Sequence, residues 1–486
     1  MSPSTSTTAT TPPLTFERLG VRTLINCMGT YTFIGGSRAL PQVADAMVEA
    51  TNHYVQIDEL MEKVGQRLAE LTGAEWGYVS SGCAAALSEI AAGAMTGGDP
   101  EKIAHLPDTE GMKNEIIMQK AERCGYDRAI SQTGARIIEI VTLADFEAAV
   151  SPRTALVAFT GDQAYRSEIP TARLIAAAHR HGIPCFVDAA AERPDVPNVY
   201  LEMGADAVAY SGGKCLRGPQ AAGLVLGKRA LLWSAFLNAA PHGGIGRPMK
   251  AAKEEIMGLL AAVEAWVLGR DHEAEKRVWA GYFDTLRAAI AGIPSVSTQV
   301  IEPASVANVS PLLEITWDPA LLGWTPATLH AALNDGDPRI VVHRAHEGIR
   351  INAYMMEDGD DAIVAQRLAD LLRTRPAPAV SEQYGAPADI RGAWRIQLDY
   401  LLESATHAMT CEQDGNTVSG TYRSQYGLGE LHGTVQGQQV ALNAGVGYHT
   451  RAANYSLRGT VDGDVMSGTF PIGGYNTGKW RAERVR

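Results

Sequence analysis

The sequence lacks the features that mark membrane, disulfide-rich and nucleic-acid-binding proteins. No stretch approaches eighteen uninterrupted apolar residues, so we expect no membrane-spanning helix and no membrane partner. The six cysteines are scattered without a CxxC pair, which argues against a metal site or a disulfide framework and favours a reducing, cytoplasmic compartment. No run is rich in lysine or arginine and the net charge is −12, so we expect no nucleic-acid partner.

The chain does have the composition of an ordinary globular protein with several domains. Hydrophobic residues make up 46% of the 486 residues and charged residues 20%. Met1–Pro13 is rich in Ser, Thr and Pro and has no apolar run. We therefore predict a disordered tail over residues 1–14 rather than a signal peptide or a membrane anchor.

Short apolar runs alternate with helical periodicity from Glu17 to Leu226. Strands that alternate with crossover helices form a mainly parallel sheet covered on both faces. We predict an α/β large domain of three αβα layers, with an N-terminal arm, over residues 15–270. The predicted strands are Glu75–Ser80, Glu115–Met118, Ile137–Val141, Ala155–Phe159, Pro184–Val187, Ala207–Tyr210 and Gly223–Leu226.

A second unit follows the large domain. Lys250–Ala291 carries apolar residues at helical spacing, which predicts one or two long helices. After Pro294 strand and helix patterns alternate, and we predict a small α+β domain over residues 271–374. Its predicted elements after Pro294 are Val296–Val300, Leu312–Thr316, Pro326–Asn334, Ile340–His343, Gly348–Ala353 and Asp358–Leu372.

The last part of the chain changes in composition. Residues 375–390 are proline-containing and aperiodic, which predicts a linker. Eight short alternating segments follow, separated by turns such as Asp414-Gly415-Asn416. We predict an all-β accessory domain over residues 391–486, an antiparallel barrel or sandwich. Its role stays open between a lid, an oligomerisation element and a small-molecule binder.

Three segments at the ends of predicted strands carry the candidate chemistry. The small residues Ser80–Ala86 precede a helix whose N-terminal amides favour an anion, although such residues also cap ordinary helices. Asp188 ends an apolar strand where open α/β sheets bind ligands, although it also suits a simple loop cap. Lys214 ends the Gly-rich turn Tyr210–Lys214, and with Ser211 it suits a Schiff base beside a phosphate, although a solvated loop lysine has the same pattern.

The order of these segments gives them a joint interpretation. A small-residue loop, a strand-end aspartate and a Ser-x-x-Lys turn ending 26 positions later (214 − 188) resemble the fold-type I pyridoxal 5′-phosphate (PLP) enzymes. Within these, the sequence is similar to the branch that contains L-seryl-tRNA(Sec) selenium transferase and D-glucosaminate-6-phosphate ammonia-lyase. The likeness covers about residues 16–372, and its clearest stretches are Leu24–Thr30, Ser211–Gly223 and Ile245–Lys250.

This resemblance implies PLP as the cofactor and a role for each site residue. Lys214 forms the internal aldimine, a Schiff base, and moves protons, while Asp188 keeps the pyridine nitrogen protonated. Arg350 binds the substrate α-carboxylate, unless it forms a structural ion pair instead. The residues expected to hold the phosphate are Ser81, Gly82, Cys83 and Ser211.

The resemblance also implies a homodimer or a higher homo-oligomer. In the family, the segment that matches Gly246–Lys250 lies near the cofactor of the neighbouring subunit, so Arg247 and Lys250 are expected to complete that subunit's site. The selenium transferase has a further N-terminal tRNA-binding domain, whereas only a short polar tail precedes the matching region here. With the net charge of −12, this difference argues against tRNA as the substrate.

Some site assignments stay open. The resemblance implies a ring-stacking histidine or aromatic residue near Gln119–Tyr126, where the sequence has Glu122, Arg123 and Tyr126 and does not decide between them. Two histidines lie near candidate site segments and are candidate acid–base groups, although an ordinary surface or core role is the simpler interpretation: His242 and His346.

We therefore predict a PLP-dependent lyase of the dehydratase or ammonia-lyase type that acts on an amino acid or amino sugar acid. Lys214 removes the α-proton, a β-substituent such as hydroxyl leaves, and ammonia is released to give a 2-oxo acid. A racemase, aldolase or transferase stays open, because Lys214 alone does not fix which bond breaks. A non-catalytic PLP-fold binding protein is a second alternative, against which the joint presence of Lys214, Asp188 and Ser211 argues.

Overall fold

The computed structural model of the chain describes residues 13–376, 384–448 and 450–485, without the side chains of Tyr448 and Arg451. They divide into two compact units, Met1–Ala377 and Pro378–Arg486. Most of the predicted tail and residues 377–383 of the predicted linker lie outside the described residues. None of the described helices is both long enough and apolar enough to cross a membrane.

The first unit contains twelve strands and fourteen α-helices among its described residues. In chain order they are β1 (Leu24–Cys27), α1 (Pro41–Thr51), α2 (Ile57–Thr72), β2 (Trp76–Ser80), α3 (Cys83–Thr96), α4 (Pro100–His105), β3 (Glu115–Gln119), α5 (Asp127–Ser131), β4 (Arg136–Ile140), α6 (Leu143–Ala149), β5 (Thr154–Thr160), α7 (Thr171–Arg180), β6 (Cys185–Asp188), α8 (Val199–Glu202), β7 (Ala207–Ser211), β8 (Gly223–Gly227), α9 (Arg229–Asn238), α10 (Lys253–Glu264), α11 (His272–Ile290), β9 (Ser297–Ile301), β10 (Leu312–Thr316), α12 (Pro319–Leu322), α13 (Pro326–Asp335), β11 (Arg339–Arg344), β12 (Gly348–Asn352) and α14 (Asp360–Arg373).

The larger sheet has seven strands in the order β2-β8-β7-β6-β5-β3-β4. All run parallel except β8, which pairs antiparallel with both of its neighbours. Strands β2, β3, β5, β6 and β8 are buried along their whole length, as expected for strands covered on both faces. This sheet confirms the predicted α/β architecture, since each predicted strand falls within one residue of an observed one.

The smaller sheet has five strands in the order β1-β11-β12-β10-β9. Its strand β1 comes from the N-terminal arm, which we assign from the sequence to the large domain, and pairs parallel with β11. The arm therefore lies in the small sheet, and Cys27 at the end of β1 belongs to its core. This core also contains apolar residues of α11, α13 and α14.

The helical segment between the two sheets is divided. A π-helical turn, Ala265–Gly269, follows α10, and α11 starts only at His272. Asp271 caps α11, because its side chain accepts a hydrogen bond from the backbone N–H of Ala274. Of the two predicted possibilities, the segment forms two long helices rather than one.

The second unit is a closed antiparallel barrel. Three hairpin turns contain a glycine with φ between +55° and +58°, a conformation that favours glycine in tight hairpins: Gly415, Gly437 and Gly463. Inward side chains alternate with exposed ones and form a separate hydrophobic core. The strands are β13 (Gly392–Asp399), β14 (Ser404–Asp414), β15 (Thr417–Arg423), β16 (Leu428–Gln436), β17 (Gln439–Tyr448), β18 (Arg451–Asp462), β19 (Val465–Ile472) and β20 (Asn476–Arg484).

Candidate active site

The ends of three neighbouring strands meet where the sequence places its candidate residues. Ser80 at the end of β2 and Ser211 at the end of β7 both pair with Gly223 at the start of β8. A Cβ atom on Gly223 would lie 2.5 Å from the Oγ of Ser80 and 2.8 Å from the backbone nitrogen of Cys83. The absence of a side chain at Gly223 therefore lets the loop after β2 lie against the start of β8, beside the turn after β7.

The loop after β2 has the geometry of an anion site. Gly82 precedes α3 with φ +81°, a conformation that favours glycine. The backbone N–H groups of Cys83 and Ala84 lie in the first turn of α3, where a helix offers no carbonyl acceptors to them. Together with the helix dipole, these N–H groups favour a bound anion, and Ser81 lies half-buried beside them.

Asp188 ends β6 as a buried carboxylate, 7% exposed. Its Oδ1 accepts hydrogen bonds from the thiol of Cys83 at 3.3 Å and from the backbone N–H of Ala190 at 3.0 Å. Burial raises the pKa of Asp188, and these two donors and the Lys214 ammonium partly offset the rise. Its Oδ2 accepts no hydrogen bond from any residue that the structure describes, so this oxygen is free for a cationic N–H group.

Lys214 lies on the turn after β7 and is half-buried. The backbone N–H of Ser211 donates to the carbonyl of Ala190 at 3.1 Å, which joins this turn to the residues that follow Asp188. Within the described part of the chain, the Nζ of Lys214 makes no hydrogen bond and no ion pair. Its amine is therefore available, close enough to Asp188 to affect the pKa of that carboxyl.

Residues outside the Lys214 turn fix its backbone. The Nε2 of Gln220 and the Oγ of Ser37 both donate to the carbonyl of Gly213, at 3.0 and 2.9 Å. Arg270 donates to the carbonyl of Cys215 at 2.6 Å. Sequence reasoning did not assign these residues a role, because Ser37 is 176 positions from its partner and no local pattern marks such a contact.

Together these parts fit PLP. The N-terminus of α3 offers a cradle for a phosphate, and Asp188 offers a free carboxylate oxygen for a protonated ring nitrogen. Lys214 offers an amine without a competing partner among the described residues. The structure thus brings together the residues predicted around the cofactor, which are Ser81, Gly82, Cys83, Asp188, Ser211 and Lys214.

The three candidates for the ring-stacking residue are either held by other polar groups or exposed to solvent. Glu122 is fully buried and accepts hydrogen bonds from three residues, Arg123 pairs with two carboxylates, and Tyr126 is exposed. Cys124, in the same segment, is half-buried and was not among the candidates from the sequence. Burial is the main cause that raises the pKa of its thiol to about 11, and the charges of Asp127 and Asp188 add to the rise.

Arg350 lies on β12 at a separate part of the site. Its Nε donates to the carboxylate of Glu314 at 2.8 Å, the ion pair that we gave as its alternative role. The side chain is nevertheless 44% exposed and lines a cavity with His343 and Asn352. The ion pair therefore does not remove Arg350 from the surface that a ligand would contact.

The remaining candidates form no hydrogen bond or ion pair with these residues in the described part of the chain. Arg247 and Lys250 are exposed and form no ion pair with a described residue. His242 lies between a backbone carbonyl and the carboxylate of Asp58, at 3.0 and 3.3 Å, which is a structural arrangement. His346 is exposed in the loop between β11 and β12.

Comparisons with known proteins agree with this geometry. Residues 42–245 match the family model of class-V aminotransferases. The chain is 28% identical over 373 residues to D-glucosaminate-6-phosphate ammonia lyase of Salmonella typhimurium, covering 74% of this chain and 98% of that protein. It is 30% identical over 375 residues to 5′-C-glycyluridine monooxygenase-decarboxylase of a Streptomyces species, covering 74% and 92%.

Two further matches support the same branch. L-seryl-tRNA(Sec) selenium transferase of Moorella thermoacetica is 29% identical over 286 residues, covering 51% of this chain and 56% of that protein. A solved structure of D-glucosaminate-6-phosphate ammonia-lyase superposes with a TM-score of 0.67 at 27% identity, covering 75% of this chain and all of that one. The chain therefore belongs to the fold-type I PLP-dependent enzymes, in the branch of the ammonia lyase and the selenium transferases.

Proposed function

We propose that this protein is a PLP-dependent lyase that converts a hydroxylated amino acid or amino sugar acid into a 2-oxo acid and ammonia. The substrate loses a hydrogen from Cα and the hydroxyl from Cβ as water. A water molecule then hydrolyses the resulting imine, so the net loss is ammonia. PLP, when bound, supplies an electron-withdrawing ring that stabilises negative charge on Cα of the substrate.

Lys214 and Asp188 carry the chemistry in this proposal. The free Nζ of Lys214 takes the proton from Cα. The Oδ2 of Asp188 holds a positively charged N–H group of the cofactor ring, which keeps the ring electron-poor. Burial disfavours an ionised carboxylate without a partner, so the carboxylate and its cationic partner stabilise each other.

The phosphate of the cofactor binds between two loops in this proposal. The N–H groups at the start of α3 and the Ser211 hydroxyl donate to it, with Ser81, Gly82 and Cys83 supplying the loop. Arg247 and Lys250 reach the site of a neighbouring subunit, so we propose a homodimer or a higher homo-oligomer, located in the cytoplasm.

Arg350 binds the carboxylate of the substrate. Its Nε is used by Glu314, which leaves the terminal N–H groups of the guanidinium for a planar, paired contact with a carboxylate. Because Glu314 orients the guanidinium, the ion pair and substrate binding are compatible roles of one side chain.

The observation that supports this proposal most is the contact of Cys83 with Asp188, which joins the anion cradle to the carboxylate beside Lys214. The test is to incubate the holoenzyme with D- and L-hydroxyamino acids and amino sugar acids. We expect equal amounts of ammonia and 2-oxo acid, and neither product from Lys214→Ala. A change of chirality without ammonia, or cleavage to an aldehyde, would instead assign a racemase or an aldolase.

A second candidate function comes from the Streptomyces relative, which is named as a monooxygenase-decarboxylase. An oxidative decarboxylase consumes dioxygen and releases carbon dioxide, whereas the lyase does neither. Measuring both gases in the same incubations separates the two functions. Consumption of dioxygen in step with substrate would overturn the lyase and support the second candidate.

A further inference from the structure

A cavity of about 320 Å³ lies between the N-terminal arm and the small sheet. Its walls come from four parts of the chain: Met28–Tyr31, the segment 301–312, the side chains on one face of β11 and β12, and Tyr354. His343 on β11 pairs with Arg350 on β12, and Asn352 is two residues further along β12. These three side chains therefore project from the same face of the sheet.

A hydrogen bond places this cavity beside the candidate active site. The backbone N–H of Asn308, a wall residue, donates to the carbonyl of Ala191 at 2.8 Å, three residues after Asp188. Tyr354, another wall residue, is half-buried; burial is the main cause that raises its pKa, and the charge of the Cys215 group adds to the rise. Cys215 follows Lys214 directly, and the hydrogen bond from Asn308 to Ala191 places the cavity beside the residues that follow Asp188.

His343 presents a hydrogen-bond acceptor to this cavity. Its Nε2 lies 2.7 Å from the backbone carbonyl of Met28, which can only accept, so Nε2 carries the proton. Burial is the main cause that lowers the pKa of His343. The hydrogen bond to Met28 raises this pKa in part, and the Arg350 cation lowers it further. The ring is therefore neutral at pH 7, with Nδ1 as an unprotonated acceptor.

Asn352 presents hydrogen-bond donors to the same cavity. The hydroxyl of Ser310 and the backbone N–H of Tyr354 both donate to its Oδ1, at 3.1 and 2.9 Å. This fixes the orientation of the amide and leaves Nδ2 on the other side. Asn352 is 6% exposed, and within the described chain its Nδ2 has no acceptor. Asn352 lines the cavity, so its Nδ2 is available to donate a hydrogen bond to an oxygen of a ligand there.

The charges of the walls disfavour a phosphorylated ligand. Among the described wall residues, the charged groups at neutral pH are Arg350 and Glu302, whose charges cancel. Glu314 lies against the Arg350 guanidinium as well. A substrate with a carboxylate and a phosphate carries nearly three negative charges, roughly 1 + 2, against this one cation. Because Arg247 and Lys250 of the neighbouring subunit are assigned to the cofactor, these walls leave the charge of a substrate phosphate without a cationic partner.

We propose that this cavity selects an amino acid whose side chain is hydroxylated and carries no phosphate. Hydroxyl groups of the substrate donate to Nδ1 of His343 and accept from Nδ2 of Asn352. A hydroxyl group suits both positions because it is a donor and an acceptor at once. The inference rests on the proposed function, since it takes Arg350 as the site of the substrate carboxylate.

Three ligands of the same carbon skeleton test this inference. They are D-glucosaminate, D-glucosaminate 6-phosphate, and 2-aminohexanoate, which has no hydroxyl group. Dissociation constants are measured by calorimetry with the holoenzyme at neutral pH. We expect D-glucosaminate to bind about tenfold or more tightly than either of the others, because an unpaired buried group costs a factor of that order. Equal or tighter binding of the 6-phosphate, or equal binding of 2-aminohexanoate, would overturn the inference.

A pair of His343 substitutions tests the acceptor directly. His343→Gln keeps an N–H group near the Nε2 position for Met28 but loses the acceptor at Nδ1, whereas His343→Asn places an amide oxygen near Nδ1. We expect His343→Gln to lower the affinity for D-glucosaminate about tenfold, and we expect His343→Asn to bind this ligand more tightly than His343→Gln does. Neither substitution should change the dissociation constant of 2-aminohexanoate, which has no hydroxyl group to meet this acceptor. His105→Gln, an exposed histidine, is the control.

Binding and turnover fail separately. If D-glucosaminate binds with this selectivity but yields no ammonia, the substrate class is supported and the lyase proposal is wrong. If ammonia forms from amino acids while His343→Gln and His343→Asn bind every ligand alike, the lyase is supported and this inference is wrong.

Discussion

The thiol of Cys83 donates a hydrogen bond to the Oδ1 of Asp188 over 3.3 Å and thereby joins the first turn of α3 to the end of β6. Both groups are buried, and each affects the pKa of the other. Burial, and then the Asp188 charge, raise the pKa of Cys83 well above its ordinary value, so it remains a neutral donor. The hydrogen bond in turn lowers the pKa of Asp188 against the effect of burial.

Removing this donor should weaken the cofactor site. In Cys83→Ala only the Ala190 N–H group still donates to Oδ1, so the pKa of Asp188 rises further and the ionised carboxylate is less favoured. We expect cofactor affinity to fall about tenfold, whereas Cys83→Ser keeps a hydroxyl donor and stays near the parent. Titration of the apoenzymes with PLP measures this. The same affinity in both variants would mean that the thiol only fills space.

The neutral state of His343 predicts a pH dependence of substrate binding. The groups that face it are Arg350, Glu302, Tyr31 and the Met28 carbonyl. Its pKa lies below the ordinary 6.5, so its Nδ1 takes up a proton only below that pH and then no longer accepts a hydrogen bond. We expect affinity for a hydroxylated amino acid to be constant near neutral pH and to fall in the acidic range.

Calorimetric titrations across that range check this prediction. The His343→Asn variant has no group that titrates at this position, so its fall should be smaller. An affinity that changes equally with pH in the parent and the variant would assign the effect to another group.

A shared active site predicts complementation between subunits. Lys214→Ala and Arg247→Ala should each be inactive. In a randomly mixed dimer, half of the molecules are hybrids with one intact site out of two, so activity should return to about a quarter of the parent value. Native mass spectrometry monitors the exchange of subunits, and steady-state assays then measure the activity that returns. Exchange without any return of activity would place Arg247 outside the neighbour's site.

The barrel should be dispensable for cofactor binding. Its residues form their own core, and closure of the sheet leaves no unpaired edge strand. We expect a chain that ends at Pro376 to stay folded and to bind PLP with unchanged affinity, and residues 384–486 to unfold cooperatively on their own. Thermal unfolding and PLP titration check this. Aggregation of the shortened chain, or loss of PLP, would show that the barrel stabilises the first unit.

Much of the fold could be predicted because burial leaves local patterns in the sequence. Strand β5, buried at every residue, appears as the continuous apolar run Ala155–Phe159, and the barrel appears as alternating residues between glycine turns. By contrast, β1 is a short strand whose partner β11 lies near the other end of the unit. Nothing local marks such a pairing, so the sequence could not place the arm in the small sheet.

The same limit applies to the site. The order of the small-residue loop, Asp188 and Lys214 identified the cofactor family, since each segment ends a strand of one sheet. The hydrogen bond from His343 to Met28 spans 315 positions. The ability of His343 to accept a hydrogen bond from a ligand depends on which ring nitrogen carries the proton. Neither the distance nor the tautomer leaves a sequence pattern, so the substrate cavity became visible only in three dimensions.

Mapping the lysine that holds the cofactor tests the central claim most directly. The holoenzyme is reduced with borohydride, digested, and analysed by tandem mass spectrometry. We predict a single modified peptide with the pyridoxyl group on Lys214, and no modified peptide from Lys214→Ala under the same conditions. A pyridoxyl group on a different lysine in the parent enzyme, with Lys214 unmodified, would contradict the account.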